Sequence, residues 1–183
     1  GFLGGVYLLP DPVVNLAPLA AAAARHSGEK AGRLANGSRD GYWHGWENIN
    51  TDSRDTLAAA RPVGAQDPEW VMLAWPRPVA LRGVAFLAPF FGAADVQAYA
   101  GDAATHPRDA GEKAWEAVAS VSGLRTLYPL GLPLSWLDFG REVTTRAVRV
   151  RLTAPFADGP DAGKLEHGHT RGKSLGGKRV ALC

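Results

Sequence analysis

Several features that would announce a chemistry are missing or scarce. There is one cysteine in 183 residues, Cys183 at the very end, so no internal disulfide can form and no internal thiol can act as a nucleophile. Charge of one sign is not in excess: 20 Lys and Arg face 18 Asp and Glu, a formal net charge of +2. That balance gives no electrostatic footprint for nucleic acid. Long apolar runs are lacking too. The opening stretch 2–9 is too short to span a bilayer and is followed by Pro10 and Pro12. It also lacks the basic start of a secretory signal. No His-Glu-x-x-His occurs. Gly168-His169-Thr170-Arg171-Gly172-Lys173-Ser174 has three residues between its glycines where a phosphate-binding loop has four, and no strand precedes it.

What is present reads as one soluble globular domain. Hydrophobic residues make up 46% and charged residues 21% of the chain, which is ordinary for such a domain. A chain of this length buries roughly two-thirds of its unfolded surface. The 22 glycines and 13 prolines are scattered rather than clustered, which suits many short strands joined by turns. Residues 1–14 read as an extended lead-in. The alanine-rich run 19–25 has helix propensity, yet seven residues do not sustain a helix alone, so a small-residue strand is equally open.

Residues 34–56 are dense in Gly, Asn, Asp and Trp without periodicity and read as a long structured loop. Strands are expected at 70–75, ended by Pro76 and Pro78, then at 79–87 and 95–99. Others are expected at 115–120, 134–139, 145–153 and 179–182. The clearest is 145–153, where Val148, Val150 and Leu152 face one side and Arg149 and Arg151 the other, a solvated outer face. This many short strands with turns between them indicate a sandwich.

The order of these elements resembles the discoidin, or coagulation factor 5/8 type C, family of galactose-binding-like domains, which overlaps a large group of carbohydrate-binding modules. Asn15-Leu16-Ala17 is similar to the family's opening, and Leu34-Ala35-Asn36-Gly37 with Trp43 and Trp46 to its apolar-x-Asp-Gly loop leading to a tryptophan. Trp70-Val71-Met72-Leu73 followed by Pro78-Val79-Ala80-Leu81, the pair Val96-Gln97-Ala98-Tyr99 and Trp115, and Ala147-Val148-Arg149-Val150 continue the pattern. The resemblance implies an all-β jelly-roll β-sandwich of about eight strands over residues 15–183, with ligand-holding loops at one end. It also implies a structural calcium near the Asp-Gly loop, for which Asn36 and Asp40 are the candidate ligands. Arg179-Val180-Ala181-Leu182 looks like the closing strand, and its abrupt end creates the expectation that the domain continues into a longer polypeptide.

The ligand candidates are Trp43, His44, Trp46, Glu47 and Asn48. Sugars are bound by an aromatic face against their C–H surface, with His, Asn or carboxylate groups taking the hydroxyls, and this segment supplies all of these types. The alternative for Trp43 or Trp46 is a plug at the end of the barrel. His106 and Arg108, in the polar loop after Tyr99, are added as a loop that reaches the same rim. The expected function is therefore non-catalytic binding of a carbohydrate or glycoconjugate by a secreted, periplasmic or cell-surface module, as an accessory domain of a larger protein. The alternative is a structural or protein-interaction domain with no sugar site.

Overall fold

The computed structural model describes residues 14–35, 45–49, 54–87, 90–123, 134–155, 177–178 and 180–182. Its frame is an antiparallel five-stranded sheet. β1 (Ala21–Ala24), β3 (Glu69–Leu87), β4 (Ala93–Tyr99), β5 (Trp115–Ser122) and β6 (Leu134–Ala154) lie in the order β1-β3-β6-β4-β5. β2 (Trp46–Glu47) and β7 (Ala181–Leu182) form a separate antiparallel pair. One α-helix, α1 (Arg54–Ala59), and four 3-10 segments complete the described residues. No helix among the described residues is long and apolar enough to cross a membrane.

The alanine run becomes strand β1 because β3 offers it a ladder, with Ala21 opposite Ala74 and Ala24 opposite Val71. Ala22 and Ala24 then pack into the core, and that burial overrides a helix propensity too short to stand alone. Alternation sets the two faces of the sheet. Val71, Ala94, Val96, Val148, Val150 and Leu152 point to the inner face and share one buried cluster with Trp46 and Val180. The β2–β7 pair thus covers that face and supplies the second layer of a sandwich.

Three expectations about strands are corrected. Pro76 and Pro78 do not end a strand: β3 runs through them to residue 87. The ladder with β6 breaks between Ala74 and Val79, so neither proline is asked for a ladder hydrogen bond. The segments expected at 134–139 and 145–153 are one strand, β6. Gly140, with φ +68, sits in its bulge opposite the step from Leu81 to Gly83, and Asp138 Oδ1 accepts from its N–H at 2.7 Å. Seven strands lie among the described residues where about eight are expected, and β3 and β6 each span two of the expected segments. Within residues 34–56, expected as loop, lie strand β2 and the start of α1.

Arg149 is the fourth correction. It lies on the outer face as alternation requires, but that face is not open to water around it. The chain between β4 and β5 folds back over the sheet: Tyr99 Oη donates to the carbonyls of Asp102 (2.8 Å) and Thr105 (3.2 Å), and Ala100 N donates to Ala114 O (2.8 Å). Beneath it Tyr99 and Trp115 meet edge to face at 5.4 Å. The Arg149 guanidinium lies 4.5 Å from the Trp115 ring centre. It donates to both Glu112 carboxylate oxygens (2.9 and 2.8 Å) and twice to Gln97 Oε1 (2.9 and 2.7 Å). A buried charge needs partners of this kind.

The hydrogen bond from Arg149 holds the Glu112 carboxyl below the usual carboxylate range, against an opposing push from partial burial. A lowered folded-state pKa means stability that is present above the ordinary carboxylate range and lost as pH falls through the lowered value. Glu112 is 72% exposed, so solvent screening reduces its contribution. Glu112→Gln is predicted to lower stability by about 1 kcal/mol near neutrality. Urea denaturation at about pH 7 and about pH 3 should show that difference closing in acid.

Candidate functional site

At the end of the sheet where β3 begins, three separated stretches meet around the turn that leaves β1. Arg25 N donates to Trp70 O (3.0 Å), extending the β1–β3 pairing by one residue. The chain then reverses at Ser27, whose φ of 51° is the one positive value among the described non-glycine residues, and Lys30 N donates to Ser27 O (3.0 Å). A non-glycine residue in this region is uncommon and persists where its surroundings fix it. Here the Ser27 hydroxyl donates to Asn48 O (3.2 Å) and the indole N–H of Trp46 donates to His26 O (3.0 Å).

The side chains of this turn reach the start of β3. Arg25 Nη1 lies 2.6 Å from Asp67 Oδ1 and donates to Pro68 O at 2.7 Å. That guanidinium holds the Asp67 carboxyl below the usual carboxylate range, chiefly through the hydrogen bond. His26 Nδ1 lies 2.7 Å from Glu69 Oε1. The two partners differ in exposure: the Glu69 side chain is 8% exposed and the His26 ring 57%. Glu69 Oε2 is buried and has no hydrogen-bond partner among the described residues.

These groups form one wall of a cleft of about 650 Å³. The lining also includes Ile49, Ala59 of α1, and Pro62 and Val63 beyond it, with Asp55 and Arg61 adding charge. Val63 is held in place by its N–H, which donates to Gly177 O at 2.8 Å. A cleft lined by both hydrogen-bonding groups and C–H surface suits a ligand that is polar at its rim and apolar on its face.

Each residue singled out by sequence has a definite place. Trp46 is fully buried in the core, the plug alternative, and its indole N–H is spent on His26. Asn48 lines the cleft but is 5% exposed: its Nδ2 donates to Lys178 O (2.9 Å) and its Oδ1 accepts from Val180 N (3.0 Å). Glu47 is half-buried, with Lys30 Nζ 3.8 Å away. Trp43, His44, Asn36 and Asp40 lie outside the described residues. Among the described residues no group of three or more His, Cys, Asp or Glu gathers to hold a metal.

His106 and Arg108 are exposed, and the Arg108 N–H donates to His106 Nδ1 (3.2 Å) at the start of a 3-10 turn. Their loop leaves β4 at Tyr99. The register puts Tyr99 beyond the Ala98–Val148 pair, at the end of the sheet away from Glu69, which faces Leu152. The register thus places His106 and Arg108 away from the cleft, whose lining does not include them. Arg25, His26, Asp67 and Glu69 went unnoticed in the sequence. Their pairs are separated by 42 and 43 residues and no local motif marks them.

No family model matches the chain, and no curated protein matches it in sequence. Solved structures do match in three dimensions. A family 32 carbohydrate-binding module of Clostridium perfringens NanJ in complex with galactose is 8% identical, with 91% of this chain and 90% of that one covered and a TM-score of 0.51. A second Clostridium perfringens module, CpGH89CBM32-5 in complex with GalNAc-β-1,3-galactose, is 9% identical over 91% and 92%, TM-score 0.50. A Ruminococcus gnavus GH29 fucosidase in complex with fucose is 10% identical over 92% of this chain but 25% of its own, TM-score 0.50. At these identities the likeness establishes the fold, a β-sandwich of the type these modules have.

The Asn48 contacts generate a direct prediction. Asn48→Ala leaves the Val180 N–H and the Lys178 carbonyl without their partner in a largely buried place, which costs about 2–3 kcal/mol. The urea midpoint should fall accordingly, whereas Glu116→Ala, on the exposed part of β5, should leave it nearly unchanged.

Proposed function

We propose that this chain is a non-catalytic carbohydrate-binding module and that the cleft between the 25–27 turn, the start of β3 and α1 is where the sugar sits. The observation that carries the reading is the cleft itself, which Arg25, His26, Asp67 and Glu69 line together with Ile49, Ala59 and Pro62. Hydroxyl groups of a pyranose pair with planar charged groups, while its C–H face lies on aliphatic carbon. The fold adds support, since matching structures include modules holding galactose and GalNAc-β-1,3-galactose. Trp43 and His44 stay within the proposal as residues shortly before Asn48 in the chain. A secreted, periplasmic or cell-surface location belongs to the same reading, because soluble and surface glycans are the natural targets of such a site.

A glycan array followed by calorimetry tests this. At least one galactose-, N-acetylgalactosamine- or glucosamine-containing glycan should bind. Arg61→Ala and Asp67→Ala should each weaken it about tenfold, equivalent to about 1.4 kcal/mol of binding energy. Trp43→Ala and His44→Ala should weaken it as well, with little change in thermal midpoint. A chain that binds no glycan, or binds one equally well in every cleft variant, contradicts the reading and favours a structural or protein-interaction role.

A further inference from the structure

We propose that His26 is the cleft residue that accepts a hydrogen bond from a ligand hydroxyl, and that Glu69 is the positioning residue that fixes its tautomer. This rests on the carbohydrate-binding reading and specifies the chemistry of the same cleft.

The two members of the pair are unequally buried. Glu69 is enclosed and its Oε1 lies 2.7 Å from His26 Nδ1, while the imidazole itself is 57% exposed and lines the cleft. An ionised carboxylate can only accept hydrogen bonds, so the shared hydrogen belongs to Nδ1. In the neutral ring Nε2 is then an acceptor, and which nitrogen carries the hydrogen is decided by the partner of the other one. The ring thus has one nitrogen committed to a buried group and one without a hydrogen-bond partner among the described residues.

Two neighbouring side chains also make hydrogen bonds within the protein: Arg25 with Asp67 and the Pro68 carbonyl, and the Asn48 amide with residues 178 and 180. The backbone beneath the ring is pinned on both sides. The Trp46 indole holds the His26 carbonyl, and the left-handed Ser27 is tied to Asn48. An exposed side chain on so constrained a backbone, oriented by a buried carboxylate, has the arrangement of a pre-positioned recognition group. A ring kept only for packing would gain nothing from exposure.

The ligand chemistry follows from the tautomer. Nε2 as an acceptor takes the proton end of a hydroxyl dipole, so the cleft reads a polyol or sugar hydroxyl as a donor.

Long-range ¹⁵N–¹H correlation spectra of the imidazole groups, at about pH 8 where imidazoles are neutral, test both halves. His26 should show the Nδ1–H tautomer, and the preference should weaken in Glu69→Gln. An Nε2–H tautomer in the wild type overturns the assignment without any variant having to fold. Titration with galactose, GalNAc-β-1,3-galactose and a glucosamine trimer supplies the second half. A sugar that binds should move the His26 Nε2 resonance and bind about tenfold or more weakly to His26→Ala, with the native fold of the variant checked by its spectrum. A sugar that binds without moving His26 defeats this inference while leaving carbohydrate binding intact. If no sugar binds, the reading on which it rests fails with it.

Discussion

A backbone polar group buried away from water needs a partner, and where this sandwich closes one side chain provides two of them. The Asn48 amide bridges Lys178 and Val180, 130 and 132 residues away, while its own N–H donates to Val180 O. β2 and β7 are each two residues long, too short to hold together by ladder hydrogen bonds alone. Through that clamp Trp46 and Val180 are seated over the inner face of the five-stranded sheet. Without it the second layer, the apolar core between the layers and the floor of the cleft would lose their common attachment.

The same closure builds the cleft. Trp46 fills the core with its ring and holds the His26 carbonyl with its N–H, so one residue couples packing to site geometry. Ser27 is tied to the other side of Asn48, and its strained backbone turns the chain where β1 ends. Arg25 and His26 are thereby delivered to Asp67 and Glu69 at the start of β3. Rigid second-layer contacts under exposed side chains lower the ordering cost of binding, which is the energetic advantage of a pre-formed site.

Alternation made the strands at 95–99 and 145–153 legible, since burial on one face writes a period of two into the sequence. Pro76 and Pro78 in β3 and Gly140 in β6 sit where the ladder is irregular rather than where a strand ends, and such residues mark either. The difference lies in the register of the partner strand, which no local stretch contains. The outward direction of Arg149 was readable, but not its cover, because that comes from the fold-back of residues 100–114 and from Glu112. The segment 43–48 displayed suitable residue types for a sugar site, yet Trp46 and Asn48 serve the closure. The groups that line the cleft come from segments some 40 residues apart, and only the antiparallel pairing of β1 with β3 brings them together.

The central claim is that one end of the sandwich, at the 25–27 turn and the start of β3, is where ligand is held. The most direct measurement is a crystal structure of the chain with the tightest-binding glycan from the array. Sugar density is expected between His26, Asp67 and Ala59, with a hydroxyl within hydrogen-bond distance of His26 Nε2. Sugar density at the opposite end of the sheet, beside Tyr99 and the loop carrying His106, with the cleft holding only water, would contradict it.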